Sequence, residues 1–171
     1  MRIFTLIACI ALLNACSSVM QADSSIPTDK TLIDRYSAKK VVFSRLISMS
    51  DEDPNVVRIA QDFTWVKGEK KSGEMGRDRP IGFSIERWGQ YRDIFKELDV
   101  ESGLVRSESG NLIMLLAETR GIVPSGFTKG YMFTRQTNDC TEATLDDVEL
   151  LADRKFACRR IDENWSLYIE R

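Results

Sequence analysis

At Gly103 the apolar rhythm of this 171-residue chain changes from a helical period to an alternating one, and that change confines it to a mixed fold. Upstream, Leu32, Tyr36, Phe43 and Ile47 recur at near-helical spacing, supported by Ile33, Val42, Leu46 and Met49. Thr28 supplies a cap for a helix of about twenty residues there. Ser84 caps a second helix with Glu86 in its first turn, where a negative charge suits the helix dipole. Its stripe Trp88, Tyr91, Phe95 and Leu98 reads as a face that docks on a sheet rather than as a binding ledge. Downstream, Leu104-Val105-Arg106 is a short strand, and Leu112 to Ala117 is apolar on both faces, as in a central strand. Phe127, Lys129, Tyr131 and Phe133 alternate with Thr128, Gly130, Met132 and Thr134. Phe156 to Ile161 and a last strand with Trp165, Leu167 and Ile169 on one face complete the set.

Between the halves, Asp53-Pro54 is a helix-start signal. Val56, Ile59, Ala60, Phe63 and Val66 fit a helix, while Val57, Ile59, Phe63 and Trp65 fit a strand; the cap favours the helix. Residues 67–79 form a polar, glycine-punctuated loop of mixed charge, read as a surface loop, with acidic lipid headgroups or an acidic partner as the alternative contact. The expectation is an α+β domain over residues 29–171, with N-terminal helices packed on a C-terminal antiparallel sheet of about five strands.

The first sixteen residues carry a second kind of information. Arg2 precedes an apolar run from Ile3 to Leu13, too short for a stable membrane span, which ends in Leu13-Asn14-Ala15-Cys16. That ending resembles the lipobox of bacterial lipoproteins, with Asn14 a less usual residue at its position. The resemblance covers residues 1–16 alone. It implies that residues 1–15 are a signal peptide removed by a dedicated peptidase, and that Cys16 carries a diacylglyceryl group and an amide-linked acyl chain. Multiple chains meet the demand for stable anchoring. Ser17 resembles the outer-membrane sorting choice, which implies the periplasmic face of that membrane. Residues 16–28, polar and broken by Pro27, then form a flexible tether on the order of 20 Å long.

Cys9 leaves with such a signal and Cys16 takes the lipid, so Cys140 and Cys158 remain as an even pair in an oxidising compartment. A disulfide is expected, stabilising by roughly 3 kcal/mol in the chain-entropy model. A redox or metal-binding pair is the weaker alternative, because neither a CxxC nor a histidine accompanies it. Of the 24 basic residues only Arg2 falls in the signal, leaving 23 against 26 acids and a net charge of −3. That balance argues against nucleic acid as a partner.

The chain has no histidine, which removes the commonest general base and metal ligand. Ser37-Ala38-Lys39-Lys40 matches a Ser-x-x-Lys motif by accident, since Ser-Asp-Asn and Lys-Thr-Gly companions are lacking. No cofactor is called for. One constellation stands out: between Asp139 and Asp153 lie six acids and no bases. Glu142, Asp146, Glu149 and Asp153 recur at four, three and four, which places them on one helix face opposite Leu145, Val148 and Ala152. A solvated face is the plain reading. The functional one is a docking stripe for a protein with a basic surface, or a weak divalent-cation surface.

These readings converge on a lipid-anchored envelope protein with a non-catalytic binding role, held to the membrane by Cys16. A toxin-neutralising protein and a structural envelope lipoprotein are variants of it. The alternative from another class is a small hydrolase using paired carboxylates on envelope polymers, with Glu86 and Glu118 as candidates.

Overall fold

The computed structural model describes residues 26–67, 84–120, 126–147 and 155–171. The elements in chain order are α1 (Asp29–Ala38), α2 (Lys40–Glu52), β1 (Val56–Ile59), β2 (Thr64–Val66), α3 (Ile85–Leu98), β3 (Leu104–Arg106), β4 (Leu112–Arg120), β5 (Phe127–Thr134), β6 (Phe156–Arg160) and β7 (Trp165–Glu170). The fold is therefore α+β, as the change of period requires. The sheet, however, has seven strands in the order β2-β1-β3-β4-β5-β7-β6, not about five, and every neighbouring pair is antiparallel. Nor do the helices all precede the sheet, because α3 follows β1 and β2.

The two additional strands come from the segment expected to be helical. Asp53 ends α2 instead of starting a helix. Its carboxylate receives Arg87 Nε at 2.8 Å and the Tyr91 hydroxyl at 2.7 Å, so it is spent on α3 and no longer available as a cap. The β-branched residues Val56, Val57 and Ile59 then favour a pleated surface. They form a hairpin closed by the Ala60 N–H donating to Phe63 O at 2.8 Å.

Thr28 caps α1 through its hydroxyl, and Ser84 caps α3 in the same way, both as expected. The single first helix, by contrast, is two, broken at Lys39 with neither glycine nor proline present. The Lys39 ammonium donates to the Glu97 carbonyl, one of the orphan acceptors in the last turn of α3, so the break falls where the chain meets another helix end.

One core joins the three helices to the sheet. Phe43 lies at its centre, 4.7 Å from the Tyr131 ring and 5.1 Å from Trp165 in edge-to-face geometry, with Tyr36 at 5.2 Å. The stripe of α3 is inside, as expected: Trp88, Tyr91, Phe95 and Leu98 are all buried. β7 is buried on both faces, since Ser166 and Tyr168 are as inaccessible as Leu167. Gly103, at φ 79°, brings its backbone against Ile59 so closely that a Cβ would stand 2.0 Å from the Ile59 oxygen. Among the described residues no helix is long and apolar enough to cross a membrane.

Candidate interaction site

The acidic segment begins at the disulfide. The sulfurs of Cys140 and Cys158 are at bonding distance, 1.96 Å, with Cα atoms 5.0 Å apart. Cys158 lies on β6, the outer strand of the sheet, and the disulfide brings the chain alongside that edge. Thr141 forms an isolated antiparallel bridge with Arg159, and the Glu142 N–H donates to Cys158 O at 3.2 Å. The open edge of β6 is thus partly covered, which limits its exposure to foreign strands.

From there the segment leaves the expected helical path. Over Thr141–Asp147 there is no helix. Its amides explain why: they are committed elsewhere than to carbonyls four residues back. The Leu145 N–H donates to Asp29 Oδ2 at 2.8 Å, and the Asp146 N–H to the Thr144 hydroxyl at 3.1 Å. The Leu145 side chain is fully buried in the shared core. Glu142 and Asp146 consequently do not form a helical stripe. Glu149 and Asp153, the other two acids of that reading, lie outside the described residues, as does Cys16.

Asp146 points inward to a charged cluster. Its Oδ1 accepts from the Asp29 N–H at 2.7 Å, in the first turn of α1, where the helix dipole favours an anion. The same oxygen accepts from Lys129 Nζ at 2.8 Å. Lys129 Nζ also lies 2.8 Å from Asp29 Oδ1, an ion pair set off the hydrogen-bonding angle. Arg159 Nη1 donates to Asp29 Oδ2 at 2.9 Å. Two acids and two bases therefore balance. Asp29 and Lys129 are only 1% exposed, whereas the Asp146 and Arg159 side chains are 41% and 32% exposed. Burial pushes the Asp29 carboxyl up, but Lys129, the Leu145 N–H and Arg159 outweigh it and hold its pKa below the ordinary aspartate value.

Lys129, Asp29 and Arg159 were not among the residues singled out by acidic spacing. The signal for Lys129 was its parity. It shares a face with Phe127, Tyr131 and Phe133, the face turned to the helices, and a cation there requires a buried partner.

Among the described residues Glu86 and Glu118 share no partner. Glu86 is exposed at the start of α3, where its own backbone N–H and the Ser84 side chain hold its pKa down. Glu118 accepts from Arg120 Nε at 2.9 Å on β4. Neither lines the groove of about 390 Å³ between α2 and α3, bounded by Arg45, Met49, Arg87 and Ile94. Neither lines the pocket of about 240 Å³ beside the disulfide, bounded by Met132, Thr134, Asn138, Cys140 and Cys158. Among the described residues no group of three or more acidic or thiol side chains is arranged to hold a metal ion. No protein-family model, curated protein or solved structure matches the chain.

Proposed function

We propose that this chain is a lipid-anchored protein of the bacterial cell envelope, held by Cys16, whose folded domain binds another protein through the acidic segment closed by Cys140 and Cys158. The anchor rests on the lipobox-like ending at Cys16 and the polar tether that follows. The observation that carries the binding role is the contact of Leu145 and Asp146 with Asp29. Asp29 opens α1 and stands just after the tether, so the acidic segment sits where the anchored end of the chain enters the domain. Ser17 supports the periplasmic face of the outer membrane as its place.

In this reading Asp146 holds the segment on the domain, and Glu142, Glu149 and Asp153 offer charge to a basic surface on the partner. The hydrolase alternative has no support from Glu86 and Glu118, which engage different partners.

Two experiments test the halves separately. Labelling with a radioactive fatty acid should mark the wild-type chain and not Cys16→Ser; equal labelling sinks the anchor. Pulldown from detergent-solubilised envelopes should recover a partner with the wild type and lose it with Glu142→Lys, Glu149→Lys and Asp153→Lys combined. Retention of every partner by that variant removes the docking role.

A further inference from the structure

The sheet has a second face, turned away from the aromatic core. Strand register sets Arg58, Val105, Met114 and Met132 side by side there, on β1, β3, β4 and β5. Leu116, Gly130 and Tyr168 form the neighbouring row of the same face, two residues along. Leu116, Met132 and Tyr168 are buried, yet they stand outside the core that the helices share with the sheet. The side chains between Arg58 and Tyr168 are thus all apolar.

Arg58 is poorly satisfied in that setting. Its Nε is buried without a hydrogen-bond partner, and its guanidinium lies over the Phe63 ring at 5.3 Å. Among the described residues it forms no ion pair, and Asp62 acts on it only from a distance. Burial pushes its pKa down, against the opposing pull of Tyr168 and Asp62. A buried donor left in this state calls for a partner. Tyr168 is only 1% exposed, and its hydroxyl forms no hydrogen bond with a described residue. Burial and then Glu170 push its pKa up while Arg58 opposes them, so the hydroxyl remains a donor at neutral pH. Each of the two groups shifts the other's ionisation, so their ends converge over the apolar strands between them.

We propose that Arg58 and Tyr168 bind the oxyanion head, a carboxylate or a phosphate, of an apolar ligand whose chain lies along Val105, Met114, Leu116 and Met132. A guanidinium and a phenol are the donors that such a head accepts from, and the guanidinium supplies the opposite charge. The ligand's anion satisfies the orphaned Arg58 Nε, and its chain meets the apolar side chains of both rows. The site is distinct from the acidic segment, and rests neither on the lipid anchor nor on a docking partner.

Urea midpoints of the full chain test it, measured with decanoate, decyl phosphate and decanol, each below its critical micelle concentration. At least one of the two anions should raise the midpoint saturably, and the more effective one identifies the head group; decanol should not raise it. Arg58→Met, of similar reach but uncharged, should abolish the response. Tyr168→Phe keeps the ring in place and should weaken the response about tenfold in affinity, the loss of one hydrogen bond to a charged group. That second variant decides the matter if Arg58→Met does not fold. The proposal fails if neither anion raises the midpoint, if decanol matches them, or if either folded variant responds as the wild type does.

Discussion

Lys129 occupies a position that strand geometry reserves for apolar side chains, and it survives there because two carboxylates meet it. Such a buried pair is poor evidence of added stability, since desolvation offsets most of the attraction. Its removal is another matter. Lys129→Met leaves Asp29 buried with Arg159 and the Leu145 N–H alone, and should destabilise the fold by about 3 kcal/mol in urea denaturation. The double variant Lys129→Met with Asp29→Leu removes both buried charges, and should recover part of that loss. If the two losses simply add, the pair is not acting as a unit. This residue also shows what alternation could disclose. The alternation put Lys129 on one strand face with Phe127, Tyr131 and Phe133, without saying which face is buried. The identity of its partners was not legible, because Asp29 and Asp146 approach it from remote parts of the chain.

At the scale of elements, local patterning served where tertiary demands agreed with it. The caps at Thr28 and Ser84 and the five strands from Leu104 onward follow directly from side-chain periodicity. It failed where a side chain was claimed by a distant element. Asp53 looked like a cap until Arg87 and Tyr91 took its carboxylate. The acids between the cysteines had helical spacing, but Thr141–Asp147 spends its amides on Cys158, Asp29 and Thr144. Hydrophobic period records which residues could share a face; it does not record what competes for the backbone. The disulfide is the element-scale restraint that holds this irregular segment to β6. Its Cys140→Ser/Cys158→Ser replacement should lower unfolding free energy by about 3 kcal/mol, from the entropy of a loop spanning a separation of 18 residues. Equal urea midpoints for the two proteins would show that the loop gains nothing from closure.

For the whole molecule, acid is the condition to which these contacts are most sensitive. Asp162, in the turn between β6 and β7, accepts from Lys40 at 2.7 Å and from the Tyr36 hydroxyl at 3.0 Å. Lys40, the Glu163 N–H and Tyr36 lower its pKa to about 2. Asp29 is shifted in the same direction. A carboxyl with a depressed folded-state pKa contributes stability above its unfolded value of about 4, and that contribution vanishes as pH falls through the folded value. Stability should therefore decline between pH of about 4 and about 2, and Asp162→Asn should decline less over that range. Urea midpoints measured across the window decide this, and identical slopes for the two proteins would remove Asp162 from the account. A different consequence follows from where the Asp29 contacts lie along the chain. Leu145, Asp146 and Arg159 stand 116, 117 and 130 residues from Asp29. A chain emerging with α1 first must hold that helix start unclasped until Leu145, Asp146 and Arg159 have appeared. That clasp therefore closes long after α1 has been made, and each such closure carries the entropy of a very long loop.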